Sequence, residues 1–156
     1  MNEKLYIRRA RLIDASALAP EARQSDLDEV AALGWQAIDS AVRHSIMMSD
    51  RSYSAFIGKQ LLAIGGIERI SSLLYSGRPW LIGTKLVDAR PGTFMRGCRP
   101  QLARMAAGYR FLENYVYVEN GRTINWLQRL GFEVHFPAVP YGIYGKPFYR
   151  FTMGER

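Results

Sequence analysis

Hydrophobic positions recur along this chain at spacings that alternate between strand-like and helix-like. Residues 6–9 read as a short first strand. Ser25-Asp26-Leu27-Asp28 has the form of a capping box, Leu27, Val30 and Ala31 make an apolar stripe, and Gly34 stands where a helix would end. Ile38, Val42 and Ile46 recur every four residues, which predicts a second helix with Asp39 and Arg43 placed to pair on its outer face. Two apolar runs, 53–57 and 61–67, flank the turn residues Gly58-Lys59-Gln60 and predict a hairpin.

After a loop at 71–79, the mostly apolar run 80–87 predicts a strand in the middle of a sheet. Pro91, Gly92 and Gly97 break the next segment, and Pro100 fits the first turn of a helix over 99–107. The run 114–119 is β-prone, and Asn120 is placed to cap a helix that reaches Leu130 and stops at Gly131. Two last strands, 133–136 and 148–153, bracket a Pro/Gly/Tyr-rich loop. An early hairpin followed by alternating strands and helices indicates an α/β (α+β) three-layer domain built on one mixed central sheet flanked by helices.

Composition fits that picture and narrows it. With 156 residues, 48% hydrophobic and 22% charged, the chain is expected to form a single domain over 1–156 with a core that needs no staples. Cys98 is the only cysteine, so no internal disulfide can form, and an intracellular, cytoplasmic setting is the simplest expectation. His44 and His135 lie too far apart for any zinc-type spacing, so no metal is expected. The longest stretch without a formal charge, 134–145, falls short of the ~18 apolar residues of a membrane span.

The formal charge is +7, and 17 of the 21 basic residues are Arg. Between Lys85 and Arg129 eight basic residues stand against three acidic ones, so that stretch favours phosphate-bearing ligands, or serves as an interaction face or a solvated basic surface. No stacking platform or groove-entering helix is recognisable, so nucleic acid is not an expected partner, and a nucleic-acid role rests on the Arg cluster alone.

The element order, together with Asn120, Thr123, Leu127, Gly131 and Phe132 at the spacing Asn-x-x-Ala-x-x-x-Tyr-x-x-x-Gly-Phe, resembles the fourth-helix motif of the GNAT superfamily of acyl-CoA N-acyltransferases. A narrower resemblance, carried by Ala63-Ile64-Gly65-Gly66, Trp80, Asn114-Tyr115-Val116 and Ile124-Asn125-Trp126-Leu127, is to the small GNAT-like proteins of short-tailed phages, the internal virion protein A group. The resemblance implies acetyl-CoA or CoA as cofactor and an amine as acceptor. It implies cofactor contacts from a strand ending at Leu86 and Val87, from Arg96, Gly97, Cys98 and Arg99 in a phosphate-holding loop over 88–99, and from Asn120.

Two departures stand out. The Gln/Arg-x-x-Gly-x-Gly/Ala pyrophosphate loop is missing, and Leu127 occupies the place of the tyrosine that protonates the leaving thiolate. Acyl transfer also needs a group to take the amine proton. Glu68 on the third strand is the candidate base, Tyr117 or Tyr115 the candidate acid, and His44 a further titratable group. Two main readings stay open: an acyl-CoA N-acyltransferase or CoA-binding protein of phage origin with a degenerate loop, and a non-catalytic virion-morphogenesis protein that acts by contact with a phage structural protein.

Overall fold

The computed structural model describes residues 4–155. Strands β1 (Leu5–Arg9), β2 (Ser49–Ile57), β3 (Gln60–Ser71), β4 (Ser76–Gly83), β5 (Phe111–Tyr117), β6 (Glu133–Tyr141) and β7 (Lys146–Gly154) form one mixed sheet in the order β1-β2-β3-β4-β5-β7-β6. Helices α1 (Leu12–Leu18), α2 (Gln24–Ala32) and α3 (Ile38–Met48) cover one face, and α4 (Lys85–Ala89), α5 (Pro91–Ala106) and α6 (Gly121–Arg129) cover the other. This is the expected three-layer arrangement.

Strand alternation sorts the core. Ile64, Trp80 and Ile82 pack under α1–α3 with Leu18, Val30 and Val42. On the other face Leu62, Ala63 and Leu81 meet Phe94, Met95 and Trp126, while Ile67, Leu112 and Val116 meet Leu102 and Phe132. Residues at i and i+2 share a face of a strand, and the register shift in the β2–β3 pairing at Ala55/Phe56 interrupts this, so that the adjacent Leu62 and Ala63 serve the same core.

Several elements differ from the pattern reading, each for a local reason. Helix α1 was not anticipated: it is short and has no Ser or Thr cap. Asp14, at its third position, instead accepts the Arg11 N–H at 2.8 Å, two bonds from Arg8 at 2.8 and 2.9 Å, and one from Ser54 Oγ at 2.7 Å. In α2 the cap is Arg23, not Ser25, and Asp26 is buried rather than capping. The Arg43 guanidinium donates to Ser16 Oγ at 2.6 Å.

The loop expected at 71–79 is mostly strand, because β3 runs to Ser71 and β4 starts at Ser76. The loop between 136 and 148 is likewise mostly strand. β6 lies at the sheet edge, where Pro137 and Pro140 need no ladder N–H on the open side.

The largest correction lies after β4. The strand expected over 80–87 stops at Gly83, since Thr84 Oγ1 accepts the Leu86 N–H and starts α4. Leu86 and Val87 are therefore helical and lie off the strand, with Val87 fully buried among Leu62, Ala63 and Phe94. The segment expected as a phosphate-holding loop is α4 followed by α5, and Pro91, not Pro100, occupies the first turn. Pro100 sits inside α5 at an exposed position.

Candidate functional site

The sheet is opened at its centre. β4 and β5 run parallel and pair only at Ser76 with Phe111 and Gly77 with Leu112, then part. Local chemistry explains why the ladder stops. Pro79 has no N–H to offer β5, and its carbonyl is taken by Asn114 Nδ2 at 2.7 Å. Further along, the Gly83 N–H donates to Asp26 Oδ2 at 2.8 Å, and the Gly83 carbonyl accepts the Arg23 N–H at 3.0 Å. By alternation Leu81 presents its backbone to the same edge, between these two closed positions.

A cavity of about 590 Å³ fills the gap and reaches both faces of the sheet. Toward α5 and α6 its wall is apolar, with Phe94, Leu102, Trp126, Leu127 and Leu130. Toward α2 and α3 it is aromatic and polar, with Glu29, Trp35, His44, Glu68, Trp80 and Tyr115. The β6–β7 turn closes one side, where Ile143 packs against Gly34, whose φ of 101° suits a glycine and whose missing Cβ leaves room for that side chain.

Arg23 anchors the wide end of the gap. Its side chain is 1% exposed, its Nη1 lies 3.4 Å from Asp26 Oδ2 and 3.4 Å from Thr123 Oγ1, and its Nε lies 3.2 Å from Asp88 Oδ1. The guanidinium carbon stands 4.4 Å over the Trp126 ring. Arg122 Nη1 meets the same Asp88 oxygen at 3.1 Å. Asn120 is buried beside this group; its amide faces the Asp26 and Glu29 carboxyls, yet neither amide atom completes an aligned hydrogen bond. Asn120 thus stands at the cap position of α6 without capping it.

Glu29, one turn after Asp26, is the group that sequence reasoning missed. Its Oε1 accepts the Tyr117 N–H at 2.7 Å, at the end of β5. Burial pushes its carboxyl up to about 7, with the Asp26 charge adding to the rise and the Tyr117 N–H, Asn120 and Arg23 opposing it. The signal was present only as an i, i+3 acidic pair on a helix, which in a sequence reads as surface.

The anticipated site residues are distributed as follows. Glu68 lies on β3 as expected and lines the cavity, where its Oε2 meets Arg78 Nη1 at 3.4 Å. Tyr117 packs on Phe148 with ring centroids 5.2 Å apart, and the cavity wall is supplied by Tyr115, stacked 4.0 Å from Tyr141. Leu127 does line the cavity. Cys98 lines it too, with its thiol pushed up to about 11 by burial.

Arg96 and Arg99 are exposed on α5, bonded to Thr93 Oγ1 at 3.4 Å and to the Arg129 carbonyl at 3.0 Å. Gly97 belongs to the packing of α5 on β1, since a Cβ there would collide with Leu5 Cδ2. Arg96, Gly97, Cys98 and Arg99 fall within the helix, so their backbone N–H groups serve α5 and not a phosphate cradle. Among the described residues no cluster of His, Cys, Asp or Glu could hold a metal ion, and no helix is long and apolar enough to cross a membrane.

No family model matches this sequence, and no curated protein matches it. Solved structures do. The chain superposes on spermidine N-acetyltransferase from Vibrio cholerae in complex with CoA and spermine, with a TM-score of 0.70 at 14% identity, covering 97% of this chain and 96% of that one. It also superposes on an acetyltransferase of the GNAT family from Streptococcus pneumoniae, with a TM-score of 0.63 at 17% identity, covering 96% and 99%. The fold is the GNAT fold, a mixed seven-stranded sheet between two helical layers.

Proposed function

We propose that this protein is a GNAT-fold N-acyltransferase or CoA-binding protein that uses the gap between β4 and β5. The observation that carries the reading is the parting of these two strands after two residue pairs, which opens a cavity of about 590 Å³ through the sheet. A cavity open to both faces lets an acyl donor and an amine approach one another from opposite sides. The acyl-CoA would supply a thioester carbonyl; amide formation joins the amine nitrogen to that carbon, breaks the carbon–sulfur bond and releases one proton from the nitrogen.

Glu29 is the better candidate than Glu68 to take that proton. A base working near neutrality is most effective with a pKa near the working pH, and Glu68 is already tied to Arg78. The wide end of the gap fits the coenzyme less well. Arg23 pairs there with Asp26 and Asp88, and both Gly83 backbone groups are taken, so this end offers a diphosphate two carboxylates and no unoccupied Gly83 amide. A phosphate-bearing arm entering at this end would compete with the Arg23 contact on Trp126.

That same closure favours a second reading, a non-catalytic GNAT-fold protein that works through protein contacts, as the resemblance to phage virion proteins implies. Thermal-shift and calorimetric titrations with acetyl-CoA and CoA separate the two. A native-state ligand at 100 times its dissociation constant adds about 2.7 kcal/mol of stability. A saturating shift supports the coenzyme reading. No shift and no heat at millimolar ligand, in the wild-type protein and in an Arg23→Lys variant alike, would leave the second.

A further inference from the structure

The α2–α3 side of the cavity has chemistry of its own, separate from the closed end at Arg23. Its walls are rings. Tyr115 and Tyr141 stack face to face at 4.0 Å, each steadying the other and keeping one outer ring face, Trp35 and His44 stand 5.3 Å apart on the helical side, and Trp80 is held by Nε1–H donating to Ser49 Oγ at 2.7 Å. Trp35 is 36% exposed, which places it at the rim.

Charge at this place runs against the charge of the whole. In a chain of formal charge +7, the pocket presents two carboxylates, Glu29 and Glu68, against one guanidinium, Arg78. Arg78 neutralises Glu68 at 3.4 Å, which leaves Glu29, held by the Tyr117 N–H and facing the Asn120 amide, as the carboxyl of this wall outside any ion pair among the described residues. Ring faces attract cations, and more strongly in a desolvated site.

We propose that this side of the cavity binds a primary monoamine carrying a flat aromatic body, its ring against Tyr115 and Trp80 and its ammonium on Glu29. This names the acceptor class for the acyl-transfer reading and rests on that reading for its catalytic meaning, while the binding itself needs no coenzyme. A polyamine is a poor match. It carries several charges spaced along a flexible chain and needs a carboxylate for each, whereas the pocket has one carboxylate outside an ion pair and an arginine beside the other. The Vibrio cholerae enzyme of the same fold is described with spermine, so the two proteins separate on acceptor charge.

The test is calorimetry on the whole protein without coenzyme, using tryptamine, spermidine and 3-ethylindole, which has the ring without the charge. Tryptamine should bind at submillimolar concentration, with spermidine and 3-ethylindole each at least about tenfold weaker. Glu29→Gln keeps an acceptor for the Tyr117 N–H, so the fold is retained, and should weaken tryptamine about tenfold; Tyr115→Leu should weaken it without restoring spermidine. Equal or tighter spermidine binding, no tryptamine heat at millimolar ligand, or an unchanged affinity in Glu29→Gln would each overturn the proposal. Failure of the CoA titration with tryptamine binding intact would remove the acyl-transfer reading and leave an amine-binding pocket.

Discussion

The guanidinium carbon of Arg23 stands 4.4 Å over the indole of Trp126, and that contact joins α2 to α6 across the open end of the sheet. Arg23 also serves Asp26 and Asp88, so one side chain from the first helical layer neutralises two carboxylates and covers a ring of the second. It closes the same edge that Pro79 and Asn114 leave unzipped.

Removing that guanidinium should be costly. Arg23→Met leaves the buried Asp26 and the half-buried Asp88 without their shared partner, a loss of about 3–5 kcal/mol read as a lower urea midpoint. Arg23→Lys keeps the charge but not the planar face on Trp126, and should lose less. In that milder variant coenzyme affinity should rise; an affinity unchanged from wild type would show that Arg23 does not obstruct the gap.

Asp14 predicts a second sensitive position in the helix that pattern reading overlooked. Burial works to raise its carboxyl, but the bonds from Arg8, the Arg11 N–H and Ser54 outweigh it and hold the group below its usual value of 3.8. A carboxyl lowered on folding adds stability that is present above the unfolded value and is lost as the pH falls through the folded one. Asp14→Asn should therefore destabilise by about 3 kcal/mol at pH 7, with the difference from wild type shrinking below about pH 4, as chemical unfolding at several pH values would record.

Glu29 has the opposite sign. Its carboxyl goes from 4.5 to about 7 on folding, so the native state holds the proton more tightly than the unfolded chain does. Stability from this group is full below about pH 4.5 and falls as the pH rises toward 7, by on the order of 2–3 kcal/mol. The groups facing it are Asp26 and Arg23 on α2, Asn120 at the start of α6 and the Tyr117 N–H on β5. Glu29→Gln should be more stable than wild type at pH 8 and about equal at pH 4.5; equal melting temperatures at pH 8 would contradict the assignment.

Leu127 lines the cavity, and the resemblance to the GNAT helix motif implies a phenol at its position. If acetyl-CoA binds, Leu127→Tyr should raise thiol release in the presence of tryptamine by about 10²-fold, the lower end of what general acid catalysis contributes. Cys98 should not confuse that assay. A thiol pushed up to about 11 is mostly protonated at pH 8 and should react with a thiol reagent about 10²-fold more slowly than free cysteine.

The sequence by itself determined the layers of this protein. Helical spacing of Ile38, Val42 and Ile46, the apolar runs on either side of Gly58, and the stop at Gly131, whose φ is 103°, are written into neighbouring residues, and the helix, the hairpin and the stop are all present, the two strands each about four residues longer at the end away from the turn. Local patterns dictate such elements because a helix or strand is decided within a few residues of itself. The length of the fourth strand was not decided so locally. Lys85-Leu86-Val87 continues a β-prone run, yet Thr84 turns it into helix because its hydroxyl, its N–H and Gly83 before it all find partners on β3 and α2. The site was decided later still. Asp26 and Glu29 look like the solvated face of a helix until the fold places them against the Gly83 and Tyr117 amides, 57 and 88 positions away. A sheet edge without a neighbouring strand must have its amides satisfied from elsewhere, and no spacing along the chain encodes which helix will reach it.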